Sequence, residues 1–162
     1  MGAITLERFA AEQSLGLTRF GFLLCGDRQR AEDLVQDAFL SLYRRFGNTI
    51  SVDNPLAYAR KVVTNGYISA ARKRAASEVV TDAVPEEQVD DAVNELWEGL
   101  SALSSRQRSV LVLRYWLDQS DEQTAALLGC RPGTVRSPAS RAIATLRRTT
   151  LRRTQGNTEG VS

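Results

Sequence analysis

The stretch from Ser120 to Arg148, SDEQTAALLGCRPGTVRSPASRAIATLRR, limits the possible folds more than any other part of this chain. Ser120 followed three residues later by Gln123 is a capping box: the hydroxyl accepts from a free backbone N–H at a helix start while the amide reaches back to another. Ala125 stands four residues before Gly129. A small side chain lets a second helix cross there, and glycine then enters the left-handed backbone of a tight turn. Val135, six residues beyond Gly129, can plug the core that both helices share. Pro132 suits a first helical position, and the segment from Arg131 to Arg153 carries Arg131, Arg136, Arg141, Arg147, Arg148, Arg152 and Arg153 with no acidic residue. This is the pattern of a helix-turn-helix whose second helix seeks phosphates. Ala125, Leu127, Leu128, Val135 and Leu146 would be core in any helical hairpin, and arginines alone can be a solvated face. The DNA reading rests on small residue, glycine, apolar plug and one-signed charge falling in register.

Pro138 interrupts that second helix. A proline in a helix interior removes an N–H bond, here to Thr134, and crowds the same carbonyl, at a cost of roughly 3 kcal/mol. A kink is expected between Thr134 and Pro138.

Charge elsewhere comes in blocks. Lys and Arg number 21 against 19 Asp and Glu, a net charge of +2, so the chain is not a uniformly basic coat. Histidine is absent, Cys25 and Cys130 lie far apart without a CxxC spacing, and no glycine-rich phosphate loop occurs. These facts argue against a zinc site, a disulfide scaffold and an enzyme, and no cofactor is expected. No basic region followed by an apolar run opens the chain, and no stretch approaches the roughly 20 apolar residues of a membrane span, so a cytoplasmic protein with no membrane partner is expected.

In chain order, apolar spacing of three and four predicts a helix from Ile4 to Leu24, weakened by Gly16 and Gly21. Asp27 can cap the next helix, which runs to Phe46 with Leu34, Val35, Ala38, Phe39, Leu42 and Phe46 on one stripe. Its other face carries Asp33, Gln36, Asp37, Leu40 and Arg44, which pattern alone reads as solvent surface ahead of a docking face for a partner helix. Gly47 to Pro55 is turn chemistry, with Asn54 as cap and Pro55 at a first helical position. The helix that follows reaches Arg74 and carries Arg60, Lys61, Arg72, Lys73 and Arg74 without an acid. Tyr58 and Tyr67 are interleaved there, either as base-stacking surfaces or, more commonly at helical spacing, as half-buried packing residues. Between Ala75 and Asn94 the chain turns acidic, with Glu78, Asp82, Glu86, Glu87, Asp90 and Asp91, and reads as a linker. A second bundle then sets Val93, Leu96, Trp97, Leu100 and Leu103 on one face, with Val110, Leu111, Leu113, Leu117 and Trp116 completing a core against the helix-turn-helix. The predicted fold is all-α: two small helical bundles joined by an acidic flexible linker, the C-terminal one containing the helix-turn-helix.

AEDLVQDAFLSLYRRF, NPLAYARKVVTN with its basic run, and LSSRQRSVLVLRYWLDQSDEQTAALLGCRPGTVRS followed by SRA occur in the order, and across the kind of linker, that resemble an extracytoplasmic-function sigma factor of the sigma-70 family, actinobacterial type. The resemblance covers nearly all of the chain to Arg148. It implies a region 2 domain over 1–75, a linker over 76–92, a region 4 domain over 93–153 and a disordered tail over 154–162. Its implied partners are core RNA polymerase, through the clamp coiled coil and the flap, promoter DNA, and an anti-sigma factor. Asp33, Gln36, Asp37, Leu40 and Arg44 match the polymerase-docking segment. Asn54, Tyr58, Arg60, Lys61 and Asn65, with Arg72, Lys73 and Arg74 of the basic run, match the part that melts the minus-ten element and captures a flipped base. Thr134, Arg136, Ser137, Ser140 and Arg141 match the minus-thirty-five reader, with Arg114 on the DNA backbone. Ser69 replaces a frequent aspartate and Tyr58 a frequent tryptophan. The resemblance implies promoter recognition, melting and transcription initiation; the alternative is a stand-alone helix-turn-helix repressor or activator that does not bind core polymerase.

Overall fold

The computed structural model describes residues 2–77, 90–136, 141–146 and 148, with side chains as far as 73 in the first stretch. The chain divides into two compact units, Met1–Val89 and Asp90–Ser162, and both are helical as expected. The acidic segment 78–89 and the tail lie outside the described residues.

In the first unit, α1 spans Leu6–Cys25, α2 Arg28–Phe46 and α3 Pro55–Ser77. The first helix begins later than the spacing predicts. Ile4 and Thr5 form a short strand, β1, paired antiparallel with β2, Thr49–Ile50, so that Ile4 faces Ile50. β-branched residues suit that extended backbone, Ile50 is buried by the pairing, and the Thr5 hydroxyl accepts from the Arg8 N–H to cap α1. Asp27 caps α2 as expected, Oδ1 accepting from the backbone N–H of Gln29 and Arg30. The core joins Phe9, Leu17, Phe20 and Leu24 of α1 to Ala31, Val35, Ala38 and Leu42 of α2 and Ala59, Val63 and Tyr67 of α3. At Gly21 α1 lies close against α2: a Cβ there would lie 3.2 Å from that of Ala31. Tyr67, 4% exposed, is a core residue, which removes it as a base-stacking surface.

In the second unit, Asp90 caps α4, Asp91–Leu100, through a 3.0 Å bond from the Val93 N–H. Val93, Leu100 and Leu103 are buried, but Leu96 lies at the edge of the stripe and is 46% exposed, contrary to the expected core. Trp97 is half-buried, with the Arg108 guanidinium 4.7 Å from its ring centre. A capping box at Ser104 and Gln107 starts α5, Ser105–Leu111. The helix then widens into a π turn over Val112–Trp116, closed by a bond from the Leu117 N–H to the Val112 carbonyl. That wider turn breaks the 3.6-residue period. Val110 and Leu113 stay inside, while Tyr115 and Trp116 point outward; Trp116 is 42% exposed and does not complete the core as predicted.

Candidate nucleic-acid and partner interfaces

α6, Asp121–Leu128, opens the helix-turn-helix with both halves of the expected capping box: the Gln123 N–H donates to Ser120 Oγ at 3.1 Å, and the Ser120 N–H to Gln123 Oε1 at 2.9 Å. Gly129 ends it at φ +68°, the left-handed region, and the Cys130 N–H turns back to the Ala125 carbonyl at 2.9 Å. The backbone is helical again over 132–136, as Pro132 at a first position predicts, and over 141–146. Val110, Ala125 and Val135 are sealed from solvent, with Leu128 and Cys130 packed around them. The plug therefore sits where the spacing put it, and the second helix is held so that Thr134, Arg136 and Arg141 are exposed. Ser137 and Ser140 lie outside the described residues, as do Pro138 and its expected kink.

Arg114 leaves the π turn towards the start of α6, where its Nη1 lies 2.9 Å from Asp121 Oδ1. The Arg136 Nε donates to the other oxygen of the same carboxylate, Oδ2, at 3.4 Å. Asp121 thus links the π turn to the second helix of the hairpin. Nothing in the sequence pattern distinguished it, because a first-turn aspartate reads as ordinary helix-dipole chemistry.

Along α3, Tyr58, Lys61, Asn65 and Arg72 fall within roughly 60° of arc, opposite the buried Ala59, Val63 and Tyr67, and Asn54 precedes the helix at the head of that stripe. Lys61, Asn65, Arg72 and Lys73 are exposed, and the Arg74 side chain lies outside the described residues. Two members of the stripe also have local duties. Asn54 Oδ1 accepts from the Ala57 N–H at 3.0 Å and caps the helix. The Tyr58 hydroxyl lies 2.8 Å from Ser41 Oγ, its ring meets Phe46 edge-on at 6.0 Å between centroids, and the Arg45 guanidinium lies 5.7 Å from it. Tyr58 therefore braces α3 against the end of α2. Arg60 stands off the stripe and is half-buried; desolvation holds its pKa below the usual arginine value, and the group remains a cation.

Asp33, Gln36, Asp37, Leu40 and Arg44 are all exposed and form one continuous stripe along α2, with Leu40 49% exposed. Tyr43, 50% exposed, belongs to the same stripe. Its place three residues after Leu40 in the same helix could have identified it. Among the described residues no cluster of three His, Cys, Asp or Glu side chains could hold a metal ion, and no helix is long and apolar enough to cross a membrane.

Residues 16–77 match the family described as Sigma-70 region 2, and residues 93–146 the one described as Sigma-70, region 4. An RNA polymerase sigma-E factor of Streptomyces coelicolor is 36% identical over 150 residues, covering 89% of this chain and 85% of the relative. The ECF RNA polymerase sigma factor SigL of Mycobacterium tuberculosis is 28% identical over 149 residues, covering 85% of this chain and 84% of the relative. Among solved structures, the sigma factor RpoE of Bartonella quintana, crystallised with the anti-sigma factor NepR, superposes with a TM-score of 0.64 at 27% identity, covering 88% of this chain and 96% of that one.

Proposed function

The chain belongs to the extracytoplasmic-function branch of the sigma-70 family of RNA polymerase sigma factors, and from that membership we propose how its exposed faces divide the work of initiation. A sigma factor directs core polymerase to promoters; the alternative of a stand-alone regulator is not favoured. The α2 stripe of Asp33, Gln36, Asp37, Leu40 and Arg44 docks on the polymerase clamp. A leucine and a tyrosine flanked by charges are what a helical partner can cover, the apolar part giving affinity and the charges orientation. The α3 stripe, Lys61, Asn65, Arg72 and Lys73 with Arg74, follows the displaced strand of the minus-ten element. Capture of a flipped base costs a few kcal/mol of unstacking, which phosphate contacts offset. Tyr58 and Asn54 lie on the same stripe and fix its N-terminal end, Asn54 by capping α3 and Tyr58 by packing on α2.

The helix-turn-helix reads the minus-thirty-five element as intact duplex. Thr134, Arg136 and Arg141 face the major groove with Ser137 and Ser140, and a good arginine–guanine pair discriminates by about 1 to 3 kcal/mol. The observation that carries this reading is the Val110–Ala125–Val135 seal, which fixes the second helix with its arginines outward. An anti-sigma factor that covers the α2 stripe would keep the chain from polymerase; the relative captured with NepR supports such a partner. The work is binding rather than bond chemistry, in the cytoplasm where polymerase operates. The test is in vitro transcription by cognate core polymerase on a genomic promoter library, with and without this chain: start sites sharing paired upstream elements are expected, and no gain in initiation at any template would refute the reading.

A further inference from the structure

We propose that Asp121 is a positioning residue for minus-thirty-five specificity, holding Arg136 in the orientation in which its guanidinium reads a base; the proposal rests on the hairpin's engagement of promoter DNA. The carboxylate is 18% exposed and meets two cations, Arg114 Nη1 through Oδ1 at 2.9 Å and Arg136 Nε through Oδ2 at 3.4 Å. The Arg136 side chain is 73% exposed and reaches across 15 positions of sequence to make this contact. It does so through Nε. Its terminal nitrogens make no hydrogen bond to Asp121, and they are the donors that pair with two acceptors on a guanine edge. A long side chain fixed before DNA arrives loses less rotamer freedom on binding, so contact with the right base is favoured more strongly.

The carboxylate is itself held from the other side. Asp121 Oδ1 is buried and has the Arg114 Nη1 cation at 2.9 Å, while the Nε of the same arginine is buried without a hydrogen bond. Arg114 keeps Asp121 in place, so that the carboxylate serves as a fixed support rather than a mobile counter-charge. Two guanidinium groups against one carboxylate also leave a net positive charge for the DNA.

The test compares full-length wild type and Asp121→Asn, each as holoenzyme, for binding to a promoter library randomised over the minus-thirty-five element. D121N is expected to flatten the base preference at one position by roughly 5- to 100-fold, the position also lost in R136A. In the R136A background D121N is expected to add nothing further. Preferences are ratios within one preparation, so loss of folded protein cancels from them; Asp121→Ser, which keeps a short polar group there, is expected to give the same flattening. An unchanged preference profile in either variant, or uniformly tighter binding to every sequence because a charge that repels phosphate has gone, would overturn the proposal. A wild-type holoenzyme with no minus-thirty-five preference at all would instead refute the functional reading beneath it.

Discussion

Single glycines in this fold have opposite tasks. Gly16 sits in the exposed middle of α1 with open space where a side chain would go, so it contributes only backbone freedom to the unfolded state. Gly16→Ala is expected to stabilise the first unit by about 0.5 to 1 kcal/mol, seen as a higher urea midpoint by circular dichroism. Gly21 lies against Ala31, and a methyl there must push α1 from α2; overpacking typically costs about 1 to 3 kcal/mol, more than the helix gain returns. G21A is therefore expected to lower the same midpoint, and equal shifts in the two variants would contradict the packing described. At Gly129, φ +68° makes any side chain strained, so Gly129→Ala is expected to cost about 1 to 2 kcal/mol in the second unit, with Gly129→Asn milder because asparagine tolerates that region.

At the scale of elements, what could be read from sequence was what depends on near neighbours. The caps at Asp27 and Ser120, the turn at Gly129 and the plug at Val135 are set by residues within a few positions of each other, and the structure has them where the pattern put them. What depends on pairing at a distance was hidden. Ile4 reads as a helix start because nothing local reveals Ile50 as its partner, 46 positions away. Trp116 reads as core because the π turn that rotates it outward has no local signature in VLRYW. For Tyr58 the commoner reading, a half-buried packing residue, agrees with the structure, but its partners Ser41, Phe46 and Arg45 are not legible from spacing. Of the nucleic-acid and partner faces, the exposed stripe of α2 was visible from spacing, whereas Asp121 was not, because its two arginines come from different elements. Ser120→Ala is expected to cost about 1 kcal/mol and to speed amide exchange in the first turn of α6. On α2, Leu40→Asp and Asp37→Arg alter exposed positions, so melting is expected to stay within about 0.5 kcal/mol of wild type. Retention by core polymerase in a pull-down is nevertheless expected to fall at least about tenfold. Unaltered retention would return that face to plain solvent surface.

For the whole molecule, the central claim is that the first unit opens strands, the second grips duplex, and polymerase supplies the spacing that lets one chain do both, so that the second contact adds through effective concentration rather than new affinity. Free in solution the chain is then expected to bind promoter DNA far more weakly than the holoenzyme does, with both affinities falling steeply as salt rises. The most direct measurement is permanganate reactivity of minus-ten thymines in holoenzyme–promoter complexes, taken together with occupancy, for Lys61→Ala/Asn65→Ala and for Arg136→Ala. The α3 variant is expected to occupy the promoter yet leave the thymines unreactive, and to recover on a template with a pre-opened bubble. R136A is expected to lose occupancy and to recover reactivity when holoenzyme concentration is raised. If both variants fail at the same step, with the same rescue, the two units do not divide the work as described.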